Sequence, residues 1–108
     1  AMKASAGCHC KDLDEFEISG LTKAPCETIA APRVAEAPAS LECKLWKVVD
    51  LPGEANVMVI GEVTGIHLRD DCVVDGRFDV TRYTPLSRLG FRDYTAVREV
   101  FELKRPGE

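Results

Sequence analysis

The sequence predicts a mainly β domain with short helices, a small barrel or part of one. Three observations carry this. Leu41, Cys43, Leu45, Val49 and Leu51 alternate with Glu42, Lys44 and Asp50 at a period of two. Residues 57–68 form an apolar run dense in β-branched side chains. Pro25, Pro32 and Pro38 punctuate the stretch before these runs, which excludes a helix and a central strand there.

The elements follow in chain order. Residues 1–13 are small and polar, with no clear period. Asp14 reads as the cap of a short helix: Glu15 and Glu17 complement the helix dipole, and Gly20 ends it. Residues 27–38 read as an irregular or edge segment crossing the surface. A strand begins near Ser40. Residues 52–56, PGEAN, form a turn. Residues 57–68 are the strongest strand, antiparallel to the one before it. Gly61 and Gly65 within it signal bulges or close backbone approach. Cys72 to Val74 is a short strand, and Asp75-Gly76 a turn. Asp79 caps a short helix around residues 80–82. Residues 85–90 read as a loop. A final strand is expected around Val100, Phe101 and Leu103.

Size and charge bound the function. A chain of 108 residues builds one core, so residues 1–108 are expected to form a single domain. There is no room for separate cofactor and substrate domains. The net charge of −4 argues against a nucleic-acid partner, which needs clustered Lys and Arg. No apolar run approaches the ~18 residues of a membrane span. No basic start followed by an apolar stretch marks a secretory signal. Five cysteines at irregular spacing make a poor disulfide framework, so a cytoplasmic location is expected.

No complete catalytic constellation is present: no nucleophile elbow, no Walker loop, no dinucleotide-binding glycine fingerprint. No catalytic residue is assigned. Cys8-His9-Cys10 lacks the spacing and the second ligand pair of a zinc site, so no metal ligand is assigned and these are read as exposed loop thiols. A small metal- or redox-sensing role for Cys8 and Cys10 is the third-ranked reading. Cys43 and Cys72 lie in apolar runs and are expected to be buried and inert. Glu62 reads as a solvated or edge-partnered residue. His67, at the end of the strongest strand, is either structural or a hydrogen-bonding group in a barrel mouth. Residues 88–94, RLGFRDY, are the most unusual string. Gly90 permits positive φ, with two arginines and a tyrosine beside it. Such a loop holds an anionic or aromatic ligand, or is a surface turn with salt bridges.

Four strings in register are specific enough to point to a family: DEFEISGLT at 14–22, PRVAEAP at 32–38 running into LECKL at 41–45, GEV at 61–63 with His67 after it, and RLG at 88–90 with Tyr94 and FELKRP at 101–106. Together they resemble the C-terminal half of the flavin reductase-like, FMN-binding split-barrel proteins of flavoredoxin type. The resemblance implies a split β-barrel that binds FMN without a covalent bond, usually as a homodimer. NAD(P)H would deliver hydride to the flavin, which relies on cofactor positioning more than on acid–base residues. It implies cofactor contacts from His67, Arg88, Leu89, Gly90 and Tyr94.

The chain departs from the pattern in three places. Lys3 stands where the family has Asn, Phe91 replaces the second Gly of an RLGG string, and residues 7–10 read GCHC. The N-terminal half that holds the flavin phosphate in the family has no counterpart in this sequence. A second expectation therefore stands beside flavin reduction: a non-enzymatic dimeric binding or assembly module with a vestigial flavin site.

Overall fold

The computed structural model describes residues 14–108. Helix α1, Glu15–Ser19, forms where the cap signals place it. The Asp14 carboxylate accepts from the Phe16 N–H at 2.9 Å and from Lys23 Nζ at 2.6 Å. Lys23 and then the Phe16 N–H hold the Asp14 carboxyl below the usual carboxylate range. Gly20 ends the helix at φ 75°, the left-handed conformation that glycine adopts without steric cost.

Eight strands follow, paired in four two-stranded ladders. Strands β1, Lys23–Ala24, and β2, Arg33–Val34, pair antiparallel. Strands β3, Ala39–Asp50, and β4, Val57–Leu68, are the long pair. Residues 51–56 join them, too short a connection for a parallel crossover, so the pair is a hairpin. The Leu51 N–H donates to the Asn56 carbonyl at 2.9 Å and closes it. Strands β5, Val73–Val74, and β6, Arg77–Phe78, turn through Asp75 and Gly76. Both turn residues have positive φ, 52° and 76°, as a two-residue type I′ hairpin requires. Short 3-10 turns cover Asp70–Cys72 and Val80–Arg82, the second capped by Asp79 as its sequence implies. Strands β7, Leu86–Arg88, and β8, Tyr94–Ala96, pair with Arg88 opposite Tyr94.

The chain divides into two compact units, one ending at His67 and the other starting at Leu68.

Four expectations are corrected. Residues 86–88 are strand, not loop, because residues 94–96 supply a partner and the Val97 N–H extends the ladder to the Pro85 carbonyl at 2.8 Å. The final strand around Val100, Phe101 and Leu103 is absent. Residues 98–103 have no regular structure and no ladder partner among the described residues, although their side chains suit a strand. Cys43 is exposed, while Cys72 is buried as expected. The period of two expected along β3 is not seen in its burial past Glu42, since residues 43–48 are all exposed. Glu42 is 1% exposed, whereas Leu41 and Leu45 are 61% and 69% exposed. The Glu42 side chain meets the loop at residues 27–28. On β4, Val59 and Ile66 are likewise more than half exposed. Among the described residues, Cys72 is the single fully buried apolar side chain.

Candidate functional site

The first unit contains one buried polar cluster, built on Glu42. A carboxylate taken out of water needs its lone pairs filled. Here they are. Oε1 accepts from the Thr28 N–H at 2.7 Å and the Thr28 hydroxyl at 2.6 Å. Oε2 accepts from the Glu27 N–H at 3.0 Å and pairs with Nε2 of His67. Thr28 spends its one hydroxyl proton on the carboxylate. Thr64 must therefore donate to the Thr28 oxygen, 2.5 Å away. His67 and then Thr28 drive the Glu42 carboxyl far below the usual carboxylate range, so Glu42 is a fixed negative charge.

Each part is placed by local sequence. Glu42 belongs to β3, and Thr64, Gly65 and His67 to β4. The loop carrying Glu27 and Thr28 has no ladder of its own, so the carboxylate takes up two of its backbone donors. Gly65 provides the space. A Cβ there would stand 3.1 Å from Glu42 Cδ and 3.2 Å from Oε1. Gly61 is tight as well: its Cβ would meet Cys43 Cβ at 3.0 Å. The expected close approach at both glycines is therefore present. Cys26 lies beside the cluster. Burial, and then the Glu42 charge, push its thiol up, so it is not a ready thiolate. Arg33 Nε is buried without a hydrogen-bond partner among the described residues, one guanidinium donor left for an acceptor.

The string at residues 88–94 lies in the second unit, at the β7–β8 hairpin. The Leu89 N–H donates to the Asp93 carbonyl at 2.8 Å, and the Asp93 N–H to the Gly90 carbonyl at 3.1 Å. Gly90 is not the left-handed residue. Phe91 is, at φ 61°. That is the first central position of the turn, where a II′ turn wants glycine. The ring of Phe91 is 85% exposed, with the Arg92 guanidinium 5.7 Å from its centroid. Arg88 lies 6.0 Å from the Tyr94 ring and donates to the Phe91 carbonyl at 3.4 Å. Arg88, Leu89, Gly90 and Tyr94 thus fall within one hairpin, while His67 belongs to the Glu42 cluster of the other unit. Also in the second unit, a cavity of about 540 Å³ opens among Val74, Arg77, Phe78, Val80, Phe101 and Glu102. An ion pair of 2.7 Å between Arg77 and Glu102 lies at it. Glu62 is exposed, as a solvated residue should be. Cys8, His9 and Cys10 lie outside the described residues. No group of three or more metal-binding side chains occurs among the described residues.

Sequence reasoning missed Glu42. The signal was present: one acid between apolar neighbours, facing a strand that combines Thr64, Gly65 and His67. Counting Glu42 only as one of the polar residues that alternate with Leu41, Cys43 and Leu45 concealed it.

Residues 1–86 match the family described as flavin reductase like domain. A protein of Halalkalibacterium halodurans is 36% identical over 85% of this chain and 46% of its own length. A structure with a split barrel domain from Shewanella frigidimarina superposes at TM-score 0.78, with 27% identity over 93% of this chain and 51% of its own. Flavoredoxin of Desulfovibrio vulgaris superposes at TM-score 0.75, with 28% identity over 90% of this chain and 51% of its own. The fold is that of the split-barrel proteins. The chain spans about half the length of the curated relatives it matches.

Proposed function

From the premise that this chain belongs to the flavin reductase like domain family, we propose that it is the C-terminal part of an FMN-binding domain of NAD(P)H-linked electron transfer. Residues 1–108 act as one portion of that domain. The family match carries the reading. The exposed guanidinium and aromatic groups fit the cofactor's chemistry. Arg88 and Arg92 offer planar donors to anionic groups, and Tyr94 and Phe91 offer faces for a flat ring. The spare Nε of Arg33 suits an anionic oxygen.

Bound FMN supplies a ring that accepts hydride from a nicotinamide nucleotide. The chain's own residues position it. His67 offers a ring nitrogen for a hydrogen bond, and the backbone at Leu89 and Gly90 shapes the hairpin. The proposed assembly is a homodimer, and the proposed setting is the cytoplasm. No helix among the described residues is long and apolar enough to cross a membrane.

The test is anaerobic reduction. NADH or NADPH added to FMN-loaded protein should bleach the flavin band at a rate that saturates with protein. Bleaching no faster than that of free FMN contradicts the reading.

A second reading, a dimeric assembly module with a vestigial flavin site, is favoured by one observation. Apolar side chains of β3 and β4 are open, with Leu45 69% and Val59 64% exposed. A protein that associates yet never takes up FMN would select it.

A further inference from the structure

We propose that Glu42 is a positioning residue for His67, fixing the ring in its Nε2–H tautomer and leaving Nδ1 as an acceptor for a ligand's amide-type N–H. The inference rests on the flavin reading only for the identity of that ligand.

The tautomer follows from donor counting. Glu42 is a carboxylate and can only accept. Its partner on the imidazole is Nε2, so Nε2 carries the proton. A neutral ring then has a lone pair at Nδ1, which has no hydrogen-bond partner among the described residues. The His67 side chain is 24% exposed, while that of Glu42 is 1% exposed. The buried end of the pair is the anchor, and the open end is the ring. Second contacts hold the anchor from every side: Glu27, Thr28 and the close backbone of Gly65. An imide N–H of a flavin and a carboxamide N–H of a nicotinamide share the donor chemistry that Nδ1 would accept.

The same counting gives the consequence of Glu42→Gln. The amide oxygen is needed where two donors of Thr28 converge, at the Oε1 position. With the oxygen kept there, the amide nitrogen occupies the Oε2 position, gives up the Glu27 N–H contact and donates to Nε2 of His67. The ring proton must move to Nδ1, so the ligand-facing atom changes from acceptor to donor.

Nitrogen-15 NMR of the imidazole, read on the neutral form of the ring, tests this. A His9→Asn background leaves His67 as the one histidine, since the chain has two. The parent should show a protonated Nε2 with an exchange-protected proton and a bare Nδ1. Glu42→Gln should invert the pattern, and Glu42→Asp, which keeps an acceptor, should restore the parent pattern. A parent ring protonated at Nδ1, or lacking a protected ring proton, overturns the proposal without any Glu42 variant. So does an unchanged tautomer in Glu42→Gln.

Separate titrations with FMN and with a nicotinamide nucleotide identify the donor. The ligand that supplies the N–H should bind Glu42→Gln about tenfold or more weakly, as a hydrogen bond becomes a donor–donor contact. Undiminished binding of both ligands with an inverted tautomer overturns the ligand-facing role of Nδ1. A parent that binds neither ligand sinks the flavin reading instead, and the tautomer result still judges the dyad.

Discussion

A buried carboxylate whose lone pairs are all filled resists protonation and is costly to replace. His67 and Thr28 hold the Glu42 carboxyl well below the usual range. Folded Glu42 therefore binds a proton less readily than unfolded Glu42. Its contribution to stability is complete above the ordinary carboxylate range, and it is lost as the pH falls through and below that range. Urea midpoints should fall as pH drops below about 4, and this fall should be shallower in Glu42→Gln. A parallel pH profile in the two proteins would contradict the assignment. Gly65→Ala tests the packing. The added methyl meets Glu42 at 3.1–3.4 Å, and Glu42 has no slack. A loss on the order of 1–3 kcal/mol in unfolding free energy is expected. At this scale the sequence was half legible. His67 stood out as a candidate because it ends the strongest strand. Glu42 did not, because alternation reports which residues share a face, not which face is covered.

Hairpins are where local chemistry spoke most clearly. Asp75-Gly76 announces a two-residue turn, and the structure supplies it with both φ values positive. Asp14 and Asp79 announce caps, and both accept the expected backbone N–H. The β7–β8 hairpin was harder to read, since Leu86–Arg88 gains its strand character from a partner eight residues away in pairing. The final apolar segment failed for the complementary reason: Val100, Phe101 and Leu103 suit a strand, but propensity without a partner makes none. Phe91 carries the hairpin's strain. A bulky residue at φ 61° costs roughly 1–2 kcal/mol where glycine costs nothing. Phe91→Gly should therefore raise thermal stability by about 1 kcal/mol, less the extra freedom glycine has when unfolded. If the exposed ring serves as a stacking face, the same variant should bind FMN more weakly. A more stable protein with unaltered FMN affinity would remove Phe91 from the ligand contacts.

For the whole molecule, the decisive feature is the set of exposed apolar side chains on β3 and β4. Leu41, Leu45, Trp46, Val59 and Ile66 each remain more than 60% exposed. Isolated exposed apolar residues are ordinary, but a contiguous set on one hairpin marks a surface that something covers. The chain spans about half of its relatives' length. Leu45→Glu should thus leave the hairpin's own hydrogen bonds intact and reduce association, read as a lower mass in size-exclusion light scattering. An unchanged mass would show that this surface is not the contact. The sequence made the family legible through four strings in order. Uptake of FMN is the most direct test. Fluorescence titration of purified protein with FMN should show saturable quenching near one flavin per chain, weakened by Arg88→Ala. A protein that leaves FMN fluorescence unquenched at every concentration would contradict the flavin-binding role.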